Sequence, residues 1–349
     1  MTACSAAKQI SAGEKVNTAF DKLGESKSLS VTFSLTATPA QLLAVQKLEP
    51  SGSGVTAAQA KQISGLGASL TLSADKPLKD VLDSAKLSSG SLDPALDFAL
   101  EVHAGDGKPL VEVRAVDGKE YLRVAVQDIV KLGGDSKTAD EINGMDKMFA
   151  QMPPSFAPLK SLLDGKWISI DPKKLADLDK SLGGTTGGTP SAAPSLSADN
   201  ENKLVKALTG VFSRDVTITD KGTVNGKDEI VVQAPASKLV ADLQKAVAPI
   251  AKTIPAIGSS FPTSAPTGIS TGKASADILI NKDGSLSGLS FDLGQLDPKT
   301  AAAKAQIPVG LSFDTKAAAT TAPTGAVAFD PSILQDMITG FSGSNPLAG

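Results

Sequence analysis

Few side chains in this sequence could perform chemistry. Its 349 residues contain one His, His103, and one Cys, Cys4. A single imidazole and a single thiol cannot build an ordinary His/Cys metal site, and a lone Cys cannot close an intrachain disulfide. No metal and no cofactor is expected. Gly268-Ile269-Ser270-Thr271-Gly272 fits G-x-S-x-G, but a nucleophile elbow needs a preceding strand, a following helix and a His further along the chain, and His103 lies upstream. Ser73-Ala74-Asp75-Lys76 fits S-x-x-K without its S-D-N and K-T-G companions. Gly222 to Lys227 has the wrong spacing for a phosphate loop and falls in a hairpin. Asn281-Lys282-Asp283-Gly284 shares the start of a calcium loop but lacks the remaining ligands and the terminal Glu, so it reads as a turn. His103 alternates with Asp97 and Glu101 on the polar side of a strand, a solvated position. The carboxylate pairs Asp140/Glu141 and Asp177/Asp179 fall on helix surfaces beside Lys. The expectation is a protein that is not an enzyme, with no catalytic residues.

Composition narrows the partners. Of 34 basic residues only three are Arg (Arg114, Arg123 and Arg214), net charge is −3, and aromatics make up 4%. Phosphate recognition favours clustered Arg and base stacking needs aromatic planes, so no nucleic acid is expected. With 41% apolar and 20% charged residues the chain can build a core, and that core must be aliphatic. No apolar run is long enough to span a bilayer. The start, Met1-Thr2-Ala3-Cys4-Ser5, has no charged region and no apolar region of a signal peptide. Thr2-Ala3-Cys4 is similar to the end of a bacterial lipobox, whose Cys is acylated after the leader is removed; the alternative is a stray thiol at a frayed end.

The elements that must position any site follow from periodicity. Ser11 and Glu14 have capping-box spacing, and Val16, Ala19, Phe20 and Leu23 continue at helical intervals to Gly24. Residues 28–38 alternate, with Leu29, Val31, Phe33, Leu35 and Ala37 on one side and Ser or Thr on the other. Two short helices are expected in 39–66, and alternation resumes over 68–74. Strand patterns at 96–104, 110–116 and 121–127 are separated by Gly105-Asp106-Gly107 and Asp117-Gly118, strong hairpin signals. A helix broken at Pro153-Pro154 fills 140–163, a short strand 166–170, and a helix 172–182. The Gly/Ser/Thr/Pro-rich stretch 183–195 is low in complexity. Beyond it come a helix after Ser197, strands 215–219 and 228–234 around Asn225-Gly226, a helix over 237–254, strands 275–281, 285–293 and 309–314, and a last helix over 331–341. Eleven strands with one apolar side each predict antiparallel pairing, because parallel sheets give continuous apolar runs. The class is α+β: a large curved antiparallel β-sheet, since twist accumulates over so many strands, with helices on its concave face.

This order resembles the LppX/LprG-type lipoproteins of actinobacteria, which share a fold with the LolA and LolB carriers. The likeness rests on KSLSVTFSLTAT, on VEVRAVDGKEYLRV with its D-G-K-x-Y turn, and on GKWISIDPKKL, similar to G-x-W-x-x-x-D-P-x-x-L. It continues in VTITDKGTVNGKDEIVVQAPASKLVADL and ADILINKDGSLSGLSFDL. The resemblance implies a tether over 1–12, one LolA-like half-barrel domain over 13–341 and a tail over 342–349. Stretches 39–66, 128–164, 183–196 and 255–272 look like insertions. It further implies an extracytoplasmic protein held at the cell membrane through acylated Cys4, with the signal peptide removed, that binds or carries lipid or lipoglycan acyl chains. A monomer is favoured.

Extracting a sixteen-carbon chain from a bilayer costs on the order of 12 kcal/mol, so a carrier must offer an apolar lining. The candidate lining is Val31, Phe33, Leu35, Leu70, Leu72, Phe98, Leu100, Val102, Val111, Val113, Leu122, Val124 and Val126. Met145, Met148, Phe149 and Met152 share a helical side and read either as core or as a soft flap over a ligand. The lining residues equally suit a solid core, which would leave a cell-surface lipoprotein that binds a protein partner.

Overall fold

The computed structural model describes residues 3–48, 55–82, 95–133, 144, 156–174, 216–251 and 268–330. Each of the eleven alternating stretches forms a strand: β1 Ser28–Leu35, β2 Gly67–Ala74, β3 Leu96–His103, β4 Pro109–Val116, β5 Lys119–Val124, β6 Ile168–Ile170, β7 Thr217–Val224, β8 Lys227–Pro235, β9 Lys273–Ile280, β10 Leu286–Asp292 and β11 Pro308–Asp314. A twelfth, β12 Val327–Phe329, was not visible as a pattern, because three residues carry too little periodicity. All twelve join one sheet in the order β12-β6-β5-β4-β3-β2-β1-β11-β10-β9-β8-β7. The first strand is the seam: β1 pairs with β2 on one side and with β11 on the other, so two meanders far apart in sequence share one sheet. The two ends of the sheet do not meet, and it stays open rather than closing into a barrel.

The expectation of purely antiparallel pairing needs one correction. Strand β12 runs parallel to β6, with Val327, Ala328 and Phe329 opposite Ile168, Ser169 and Ile170. It reaches that edge through residues 315–326, which leave β11 and cross the sheet, the long connection a parallel neighbour requires. The tight turns behave as expected. Asp117-Gly118 and Asn225-Gly226 both have positive φ, at 50° and 70° and at 51° and 79°, the pairing that a two-residue hairpin turn with right-handed twist demands.

The helices are α1 Ala3–Glu25, α2 Pro39–Leu48, α3 Ala57–Ile63, α4 Leu78–Leu82, α5 Val126–Gly133, α6 Ala157–Leu163, α7 Ala236–Ala251 and α8 Pro298–Ala302. Helix α1 begins well before the capping box at Ser11. Residues 3–10 contain three Ala and no Gly or Pro, so nothing halts the helix there. A true capping box stands at α3, where Thr56 accepts from the Gln59 backbone and Gln59 accepts from the Thr56 backbone. Val126, expected on a strand, opens α5 instead. Strand pairing ends where Ala125 donates to Leu110, and the amides of Asp128 and Ile129 already donate to the Ala125 carbonyl.

The core has two centres, both on the apolar side of the sheet. At one end α1 seats Ala12 and Ala19 on Ile230, Ile278, Ile280 and Leu286, with Val16, Leu23, Ile218 and Leu289 around them. Near the middle, Leu78 and Val81 of α4 pack with Leu96, Leu29, Leu72 and Ala74. Lys15 fastens α1 to the β7–β8 hairpin through Asp220 at 2.9 Å and Asp228 at 3.1 Å.

Candidate functional site

Strand register turns the alternating residues into continuous rows. One row runs Ile168, Leu122, Val113, Leu100, Leu70, Val31 and Phe313 across seven strands. The next runs Val124, Val111, Val102, Ala68, Phe33, Leu311, Leu289, Ile278 and Ile230. Leu35 lies opposite Val309, while Leu72 lies between Leu29 and Phe98. Twelve of the thirteen expected lining residues therefore share one side of the sheet. Val126 does not, because it belongs to α5. Met145, Met148, Phe149 and Met152 lie outside the described residues.

Further along β1 to β3 from the α4 cluster this apolar side is incompletely covered. Phe33 is 42% exposed, and Leu70 and Leu100 are each 39% exposed. Leu70 faces both Val31 and Leu100 directly, and Phe33 is the next apolar residue along β1 from Val31, so the three form one patch rather than isolated surface residues. Glu120 sits on the same side, opposite Ala115 and Ile170, and burial pushes its carboxyl above the usual range.

The residues of the catalysis-like motifs have structural duties. Ser270 is buried; its amide donates to the Leu296 carbonyl, its carbonyl accepts from Ser237, and its hydroxyl accepts from Gly272. Ser73 is buried, and its hydroxyl accepts from the Thr320 amide at 3.1 Å. Asn281 to Gly284 is a turn, in which Gly284 donates to the Asn281 carbonyl and Asp283 accepts from Ser285. His103 is half-buried rather than solvated, with Nδ1 3.1 Å from the Ala104 carbonyl oxygen. It leans over Gly67: a Cβ there would lie 2.6 Å from His103 Nε2 and 2.5 Å from the Phe33 carbonyl oxygen, so this close approach requires glycine. Among the described residues no three His, Cys, Asp or Glu side chains come together as a metal site. The backbone of Cys4 lies in the first turn of α1, and its side chain is outside the described ones.

Sequence reasoning missed a charged cluster on the polar side of the sheet. Glu112 on β4 is buried and pairs with Arg114 at 3.4 Å and with Arg123 of the adjacent strand. Both guanidinium groups lie over the Trp167 ring, 4.9 and 5.4 Å from its centre. Two of the chain's three Arg and its sole Trp are thus in one place. The signal was present, since the Asp117-Gly118 turn sets Glu112 opposite Arg123. Elsewhere on the polar side, a hollow of about 550 Å³ is lined by Ser270, Lys273, Asp277, Asp292, Gln295 and Lys304 among others. Several of its polar groups already bond one another: Asp277 accepts from Ser290, Asp292 from Gly294 and Ile307, and Gln295 from Ser275.

The class defined by this geometry is an open-sheet α+β domain with one apolar and one polar side. No family model matches the chain, and no curated protein does. Among solved structures it is similar to lipoprotein LppX of Mycobacterium tuberculosis, at 11% identity over 89% of this chain and 98% of that one, with a TM-score of 0.32. It is also similar to LprF of Mycobacterium bovis, at 10% identity over 90% and 97%, with a TM-score of 0.31.

Proposed function

We propose that this protein is a non-catalytic extracytoplasmic lipoprotein that holds acyl chains of a lipid or lipoglycan against the apolar side of its sheet. The carrying observation is the patch of Phe33, Leu70 and Leu100, left about two-fifths exposed on β1 to β3, beyond the ends of those strands that α4 covers at Leu29, Leu72 and Leu96. Covering apolar area is worth roughly 25 cal/mol per Å², and a saturated chain laid along these rows would gain it without any polar group being stripped of water. The aliphatic lining has few fixed directional groups, which suits a ligand recognised by bulk and length.

The test is native mass spectrometry of delipidated full chain mixed with dipalmitoyl phosphatidylglycerol. A folded protein carrying the lipid mass is expected. A folded protein that binds none would overturn acyl binding and favour the second reading, a surface lipoprotein that docks a protein partner. In the same proposal Cys4 is the acylated anchor that holds a monomer at the membrane. The precursor should incorporate labelled palmitate, and Cys4→Ser should abolish it; label retained in Cys4→Ser would refute the anchor.

A further inference from the structure

We propose that residues 315–326 together with β12 form a detachable clasp, closed over the polar side of the sheet with the Glu112, Arg114, Arg123 and Trp167 cluster as its keeper. The clasp is distinct from the acyl-binding reading and is derived from the opposite side of the sheet.

The strap touches the sheet at points that step outward over β1, β2 and β4 to the start of β6. Ser28 on β1 donates to the Ala317 carbonyl at 2.5 Å, Thr320 donates to Ser73 on β2 at 3.1 Å, and Arg114 on β4 donates to the Thr321 carbonyl at 3.1 Å. Val327, at its far end, donates to the Trp167 carbonyl at 2.9 Å. Between β11 and β12 lie seven interstrand steps, about 34 Å at ~4.8 Å each. A chain of this length reaches roughly 40 Å when extended, so the strap has little slack.

The ties of 315–326 are almost wholly polar, and the buried apolar anchor of the clasp is Phe329 of β12. The central sequence Ala317-Ala318-Ala319-Thr320-Thr321-Ala322 brings no large apolar anchor, and Ala318, Ala319, Thr321 and Ala322 are exposed. A space of about 210 Å³ remains beneath it, bounded by Thr71, Glu101, Glu112, Arg114, Ala318 and Thr320. A segment with few buried apolar contacts and exposed backbone opens at low free-energy cost, well below that of global unfolding. The keeper is the reverse. Glu112 is buried between two Arg that also stack on Trp167, so the cluster holds its shape when the strap leaves and can receive it again. Opening removes β12, the outermost strand beside β6, and frees the end of the apolar row at Ile168. If the acyl-binding reading holds, that freed edge is a lateral entrance.

Hydrogen exchange by mass spectrometry on the full chain without lipid tests the clasp whether or not lipid binds. Amides of 317–329 are expected to exchange at least about tenfold faster than those of β2 to β4, as a local opening requires. Arg114→Ala should speed 317–329 by a further factor of about ten, the loss of one charge-assisted hydrogen bond, and Ser73→Ala should do so by somewhat less. Peptides of β8 and β9 should not change. Trp167, the only Trp, should shift its emission to the red in Arg114→Ala as the ring loses its cover. Exchange of 317–329 in step with β2 to β4, or exchange unmoved by both substitutions, would overturn the proposal.

Discussion

Glu120 shows how one residue can oppose the fold it belongs to. Its carboxyl lies on the apolar side of β5 between Ala115 and Ile170, and burial raises it. For an acid whose folded value is raised, the unfolded chain ionises first as pH climbs, so stability is lost above the ordinary carboxylate range. Glu120→Gln removes that penalty. It should raise the melting temperature at pH 7 by a few degrees and leave it nearly unchanged at pH 3.5, where both forms are neutral; an equal shift at both values would contradict the assignment. Gly67 carries the opposite lesson. The residue is there for what it lacks, because the Phe33 carbonyl and the His103 ring occupy the place of a Cβ.

At the scale of elements, α1 is held by two kinds of force with different weights. Ala12 and Ala19 are fully buried because small residues let the helix approach Ile230 and Leu286, themselves wholly buried. Lys15 adds its bridge to Asp220 and Asp228, but its side chain is 41% exposed and solvent screens the pair. The hydrogen bond that Lys15 donates to Asp220 does most to raise its amine, and hydrogen bonds donated by Thr223 and then Lys15 lower Asp228. Ile230→Ala should therefore cost about 2–5 kcal/mol in urea unfolding, and Lys15→Ala only a small part of that. A smaller loss from Ile230→Ala than from Lys15→Ala would mean that charge, not packing, docks the helix. The same scale explains which elements were legible beforehand. Strands β1 to β11 announce themselves by alternation, and two hairpins by Asp-Gly and Asn-Gly. Strand β12 and the start of α1 do not, since the first depends on β6 as a partner and the second ran through a capping signal that had no need to act.

The whole molecule is an open sheet whose two sides have different jobs. Phe33, Leu70 and Leu100 are exposed where α1 packs on β7 to β11 and α4 packs on one end of β1 to β3, leaving the other part of β1 to β3 open. Leu70→Ser with Leu100→Ser should accordingly weaken lipid capture in the native mass spectrum at little cost to folding, under about 2 kcal/mol for side chains already two-fifths in water. Unfolding of that variant would identify the patch as core instead. On the polar side, the strap and the arginine–tryptophan cluster decide whether the β6 edge is covered.

From the order of residues alone followed everything with a local period: the strands, which side of each is apolar, the tight turns, and the scarcity of reactive groups. What needed the folded chain was the meeting of β1 with β11, the parallel return of β12, the burial of Glu112 between two Arg, and the exposure of Phe33, Leu70 and Leu100. Alternation is a property of neighbours two positions apart and is written in the sequence. Strand order and burial depend on partners hundreds of positions away, and those are chosen only when whole apolar surfaces compete for cover.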